Sequence, residues 1–213
     1  MAAPSGPLDL AAGLLAASAV RLSPRSPFTW ASGLKAPIYC DNRQLLGFPD
    51  LRAGIADALA QLAALANPSL IAGTSTAGIP WAALVADRLG LPMAYVRPEP
   101  KSHGMGRQVE GPSGQGHRVV LIEDLISTGG SSIRCVEALR REAAEVLEVL
   151  ALFSYGLPQG EAAFRAAGVP LRVLATFDNL AVRAREQGLL DPADMASLTE
   201  WKADAAAWSQ RHS

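Results

Sequence analysis

The sequence predicts an α/β fold: a mainly parallel, twisted sheet flanked by helices, with a small N-terminal hood and a flexible lid. Two observations predict the body of it. Short, continuously apolar runs recur, as strands buried on both faces require, and helix-period segments separate them. No internal repeat competes with this reading. At 213 residues the chain can bury a substantial core as one domain or a little more, without disulfides or metals.

Leu10, Leu14 and Ala17 recur at helical spacing behind Asp9 and predict a first helix. With Asp9 at its start and no basic leader, the stretch does not read as a signal peptide. Residues 28–46 hold Gly33, Pro37 and the extended-prone pieces FTW and PIY, and predict an accessory hood. Leu51, Ile55, Leu59, Leu62 and Leu65 give a helix entered through Pro49 and Asp50. A strand over 70–73, a helix over 81–89 ending at Gly90 and a strand over 93–97 follow. The second half reads as strand 119–122, helix 131–141, strand 146–155, helix 160–167, strand 171–176 and helix 179–186. In the tail, Trp201 and Trp208 share a helical face and are expected to pack on the body or on another subunit. The chain thus divides into a helix and hood (1–48), an α/β core (49–190) and a helical tail (191–213).

Composition removes several classes of function. Hydrophobic residues make up 49% and charged residues 18%, with a net charge of -1, so disorder is not expected. There is no positive field to hold nucleic acid or an anionic membrane in bulk; any anionic partner must be caught locally. No apolar run approaches the ~18–20 residues of a membrane span. Two cysteines, Cys40 and Cys135, read as reduced thiols of a cytoplasmic protein. His117 reads as a surface turn residue, and Trp81, Trp201 and Trp208 as packing residues.

Between Arg97 and Arg118 the glycines Gly104, Gly106, Gly111, Gly114 and Gly116 break all periodicity. Loops beyond ~12–15 residues in a compact domain are mostly lids, binding loops or disordered. This one also carries Lys101, His103 and Arg107, and reads as a functional lid over 98–117.

The segment VVLIEDLISTGGSS places Glu123 and Asp124 behind an apolar strand, then Ser127, Thr128, Gly129, Gly130 and Ser131 at a helix entrance. Open α/β sheets bind ligands at the carboxyl ends of their strands. Unpaired amides and the positive dipole end of a helix favour phosphate there, and glycine allows close approach. An ordinary Ser/Thr helix cap needs one such residue and leaves the acidic pair and double glycine unexplained. An ATPase P-loop is absent, because the run 73–78 continues with Ile79-Pro80 where Lys and Ser/Thr should stand. The dinucleotide pattern GxGxxG is absent too.

An apolar strand, Glu-Asp, a Ser-Thr-Gly-Gly loop and a helix resemble the phosphoribosyl pyrophosphate (PRPP) motif of the type I phosphoribosyltransferases. FTWASGLKAPIYCDNR, GTSTAGIP and YVRPEPKSHGMGRQVEG are similar, in that order, to the hood, pyrophosphate loop and catalytic lid of its orotate branch. The resemblance runs from about Leu8 to Gly188. It implies Mg²⁺-dependent transfer of the phosphoribosyl group from PRPP to orotate, in de novo pyrimidine biosynthesis. Glu123 and Asp124 would hold the ribose hydroxyls, Ser127 to Ser131 would bind the 5′-phosphate, and Leu125 and Ile126 between them would also be PRPP-binding. Thr74, Ser75, Thr76, Ala77 and Gly78 would meet the pyrophosphate through the main chain. Arg97, Lys101 and His103 would neutralise it, with Lys101, His103 and Asp124 closest to catalysis. Ser32, Gly33, Lys35, Tyr39, Cys40 and Ser127 fall near the orotate ring. Mg²⁺ would be held by PRPP and water, with no protein metal cluster. The family's lid serves the neighbouring subunit, which implies a homodimer.

Some enzymes of the orotate branch carry lysines where this chain has Ala31, Ala77 and Pro98, and an orotate-contacting arginine with no clear equivalent near residues 153–156. Lys35 is then the hood cation left for the orotate carboxylate. A transferase for another base keeps the PRPP motif but not this hood and K-x-H-G lid. A PRPP-sensing regulator would be expected to add a nucleic-acid-binding segment, and none is visible.

Overall fold

The computed structural model describes residues 8–30, 32–97, 99 and 108–212. Asp9 caps helix α1 (Leu10–Ala16) by accepting from the Ala12 amide. The hood follows as β1 (Val20–Leu22), β2 (Phe28–Thr29), β3 (Lys35–Ala36), β4 (Ile38–Cys40) and a 3-10 turn over Asn42–Gly47. Its strands form two antiparallel pairs, β1 with β4 and β2 with β3. Helix α2 (Pro49–Leu65) starts on Pro49 with Asp50 in its first turn, where a fixed φ and a negative charge both favour a helix start.

The body continues with β5 (Leu70–Thr74), α3 (Gly78–Leu89), β6 (Met93–Val96), β7 (Val109–Glu110), β8 (Arg118–Ile126), α4 (Gly130–Arg141) and β9 (Glu145–Ser154). It closes with α5 (Pro158–Ala166), β10 (Leu171–Thr176), α6 (Phe177–Glu186), α7 (Pro192–Ala203) and α8 (Ala205–Arg211). Six strands make one sheet in the order β10-β9-β8-β5-β6-β7, parallel except for the β6–β7 edge pair.

Successive residues of the central strands face opposite sides, which is why the runs are apolar throughout. Ile71, Val120, Ile122 and Leu150 pack with α1, α2, α3 and the tail. Leu70, Ala72, Val119, Leu121 and Val149 pack with α4 and α5. Trp81, Trp201 and Trp208 are fully buried, as expected of packing residues, and the tail lies on the body of its own chain. No helix among the described residues is long and apolar enough to cross a membrane.

Three differences from expectation bear on the site. Strand β8 runs on to Ile126 rather than stopping at Ile122, because β9 pairs with it as far as Leu125↔Phe153 and Ile126↔Ser154. Helix α3 starts at Gly78, directly out of the preceding loop. The segment 98–117 is not irregular throughout: Val109 and Glu110 pair with Val96 and Tyr95, and turns over 113–117 lead into β8.

Candidate active site

The carboxyl ends of β5, β6 and β8 come together at one edge of the sheet. β5 delivers Thr74, and the turn over residues 75–77 hands the chain to α3. The Ser75 amide donates to the Val96 carbonyl at 2.8 Å, which holds this loop against the end of β6. The Ser75–Thr76 peptide is cis. Gly78 is dictated by space: a β-carbon there would stand 2.5 Å from both the Ile122 carbonyl oxygen and Thr74 Oγ1.

The two adjacent acids behave differently. Glu123 is 5% exposed and faces inward. Thr74 Oγ1 donates to its Oε1 at 2.5 Å, Ser132 Oγ to its Oε2 at 2.7 Å, and the Asp124 amide to its Oε1 at 3.1 Å. It therefore joins the ends of β5 and β8 to the first turn of α4. Of the two acids, Glu123 is thus engaged on both carboxylate oxygens, and Asp124 is the more exposed. Burial first, and then the Glu123 charge, push the Asp124 carboxyl up to about 7.

Beyond Asp124 the chain turns through residues 127–129 into α4. Gly129 holds the N-cap position at φ 78, a conformation glycine adopts without cost. In α3 the Ile79 amide donates to the Thr76 carbonyl at 3.3 Å and Pro80 has no N–H. No side chain caps α4, so its first amides remain available to an anion. This separates residues 127–131 from an ordinary Ser/Thr cap. Among the described residues no cluster of three or more His, Cys, Asp or Glu side chains could hold a metal ion.

Arg97 sits half-buried just past β6. Its amide donates to the Gln108 carbonyl at 2.9 Å, and Gln108 Nε2 donates back to the Arg97 carbonyl at 3.0 Å. This closed pair is the stem from which residues 98–107 depart. Lys101, His103 and Arg107, with Ala31 and Pro98, lie outside the described residues.

Beside the loop that starts at Ser127, Trp30, Tyr39, Cys40, Leu125, Ser127 and Tyr155 line a cavity of about 220 Å³. That is below the ~300 Å³ where sites for drug-sized molecules begin, and suits a single ring. Trp30 stacks on Tyr155 with centroids 5.4 Å apart and planes at 17°. Desolvation raises the Tyr155 phenol and the Cys40 thiol above their usual ranges, so both stay neutral. A larger cavity of about 430 Å³ between α5 and β10 shares Ser127 but neither acid.

Of the base-contacting residues expected from the sequence, Tyr39, Cys40 and Ser127 meet at this cavity, while Ser32 and Lys35 do not line it. Lys35 Nζ instead donates to Thr29 Oγ1 at 2.9 Å across the β2–β3 hairpin. The backbone of Lys35 is held by Ser209 Oγ, so the hairpin is drawn toward the tail. Tyr155 and Asn42 escaped the sequence reading of the site, in which Trp30 stands evenly between packing and stacking on a ligand. Asn42 is 1% exposed and donates to the Asp124 carbonyl at 2.7 Å, linking hood to strand end. Its place beside Asp41 and Arg43 in the hood segment was the available signal.

A family model described as a phosphoribosyl transferase domain matches residues 41–166. The chain is 51% identical to an orotate phosphoribosyltransferase of Cutibacterium acnes over 206 residues, 96% of this chain and 95% of the relative. Among solved structures it is similar to orotate phosphoribosyltransferase from Aeropyrum pernix, with TM-score 0.72, 36% identity, and coverage of 85% of this chain and 99% of that one. It is also similar to the Mycobacterium tuberculosis enzyme in complex with PRPP, with TM-score 0.58, 27% identity, and coverage of 67% and 82%.

Proposed function

The chain belongs to the orotate phosphoribosyltransferases, and on that premise we propose how its residues divide the work of joining PRPP to orotate. The reaction breaks the bond from ribose C1 to a pyrophosphate oxygen and forms one from C1 to a ring nitrogen of orotate. Its products are orotidine 5′-monophosphate and pyrophosphate, a step of pyrimidine biosynthesis. The observation that carries the assignment is that Ser127 belongs at once to the phosphate loop and to the wall of the small aromatic cavity. A ribose held at Asp124 then presents C1 to a base in that cavity while its 5′-phosphate rests on residues 127–131.

Asp124 holds the ribose hydroxyls as positive charge grows on the ring, and Glu123 fixes the frame around it. The main chain of Thr74 to Gly78 receives the pyrophosphate, with Arg97 beside it. Charge that develops on the leaving group is stabilised more in the transition state than in the ground state by such donors. Lys101 and His103 add cations from the lid, which also excludes water that would hydrolyse PRPP. The donor set fits a Mg²⁺ carried mainly by PRPP oxygens and water: such an ion needs only one or two carboxylates, and Asp124 is the acid left open. When bound, it shares the negative charge of the pyrophosphate. Two free thiols, Cys40 and Cys135, suit a cytoplasmic setting.

The protein is read as a homodimer whose lids serve each other's sites. Mixing Lys101→Ala with Asp124→Asn subunits tests this directly. Each homodimer is crippled, but a heterodimer has one site free of both changes. Mixing should recover up to about a quarter of wild-type turnover, since roughly half the dimers are mixed and each has one sound site. Recovery of nothing would place each lid on its own subunit's site. Chelation by EDTA should abolish turnover and added Mg²⁺ restore it.

A further inference from the structure

On the reading of the aromatic cavity as the orotate site, we infer that the C-terminal tail shapes it and that Trp201 is a positioning residue for the base. Trp201, in α7, is fully buried and is not part of the cavity wall. It meets both indole and phenol rings that do form the wall. Its centroid lies 5.9 Å from Trp30 at 89° and 5.6 Å from Tyr155 at 83°, both edge-on. Phe177 backs it at 5.1 Å. Trp30, Tyr155 and Trp201 thus brace one another, and two of the three face the cavity. Edge-to-face and offset-stacked rings have preferred geometries, so removing one lets the others turn.

The tail also grips the hood elsewhere. The Lys35 amide donates to Ser209 Oγ of α8 at 2.8 Å. Arg25 pairs with Asp191 and Asp194 at the start of α7. Within the hood, Trp30 Nε1 donates to the Ile38 carbonyl at 3.0 Å, so the indole moves with that strand. The phosphoribosyl half of the site rests instead on Thr74, Glu123 and Ser132, from β5, β8 and α4. Disturbing Trp201 should therefore displace the base wall and leave the PRPP half in place. Displacements near 1 Å are enough to cost up to ~100-fold in a positioned reaction. Among the described residues the Trp201 indole N–H is buried without a hydrogen-bond partner, so phenylalanine keeps the ring contacts and loses no hydrogen bond.

The test is steady-state kinetics on the full chain with orotate and PRPP varied separately. Trp201→Leu should raise KM for orotate about fivefold or more while KM for PRPP stays within about twofold, and Trp201→Phe should restore most of the loss. Ser209→Ala should raise the same constant about twofold. If Trp201→Leu does not fold, Ser209→Ala carries the test, and a wild-type orotate constant there overturns the proposal. A parallel rise in both KM values overturns it too, since that is the mark of a merely loosened fold. Tyr39→Ala, in the wall itself, separates this failure from that of the cavity assignment. A raised orotate KM in Tyr39→Ala alone removes only the role of Trp201, whereas an unchanged one removes the cavity as base site.

Discussion

Asn42 Nδ2 donates to the Asp124 carbonyl at 2.7 Å, so the hood is joined by a half-buried hydrogen bond to the residue proposed to hold the ribose. Asn42 Oδ1 in turn accepts from Cys40 Sγ in the cavity wall at 3.2 Å. One amide thereby spans the two halves of the site. Asn42→Ala should cost about 1–3 kcal/mol of stability by removing the partner of a buried carbonyl. Unlike a change at Trp201, it should raise KM for orotate and for PRPP together. Urea denaturation and kinetics check both parts, and a change confined to one substrate would contradict the bridging role.

Glu123 is satisfied from three sides by Thr74, Ser132 and its own neighbour's amide. Glu123→Ala leaves two buried hydroxyls without their acceptor and should destabilise the fold by about 2–4 kcal/mol. Glu123→Gln retains an acceptor oxygen and should cost less than half as much. Equal losses in chemical denaturation would mean that the carboxylate is not the tie it is taken to be.

Asp124 titrates upward from 3.8 to about 7 through burial and the Glu123 charge. The fold thus binds a proton that the unfolded chain releases, and stability from this group falls as pH rises across that interval. Above it the loss is complete. Asp124→Asn should flatten the decline of Tm expected of the parent protein between about pH 4 and 7, and should weaken PRPP binding in titration calorimetry. Superimposable Tm profiles, or wild-type affinity, would count against the assigned environment.

Gly78 has no room for a side chain between Ile122 and Thr74. Gly78→Ala should cost about 1–3 kcal/mol through overpacking and lower PRPP affinity as the loop shifts. Thermal melts with and without PRPP report both effects, and a neutral substitution would show that the two strand ends are not held this closely.

The sheet was legible because its central strands are apolar on both faces, as in 119–122 and 171–176, and because Asp9, Pro49 and Gly90 mark helix ends locally. The turn at residues 127–129 into α4 was legible because its residues are consecutive. What was not legible depends on partners far along the chain. β8 continues past the acids only because β9 pairs with it, and Glu148 tolerates burial in β9 because Arg172 of β10 meets it. That Glu123 turns inward rests on Thr74 across the sheet. That Lys35 leaves the base cavity rests on Thr29 across its hairpin and Ser209 in the tail, the latter 174 residues away. Composition and periodicity carry no record of such encounters.

The central claim is that the Ser127 loop and the aromatic cavity together join a phosphoribosyl group to orotate. Its most direct measurement is the fall in orotate absorbance on mixing the protein with PRPP and Mg²⁺, run beside uracil, adenine and hypoxanthine. Consumption of orotate that depends on PRPP, releases pyrophosphate in equal amount and is not matched by the other bases is the predicted result. Faster turnover of a purine, or PRPP binding with no loss of orotate, would contradict it.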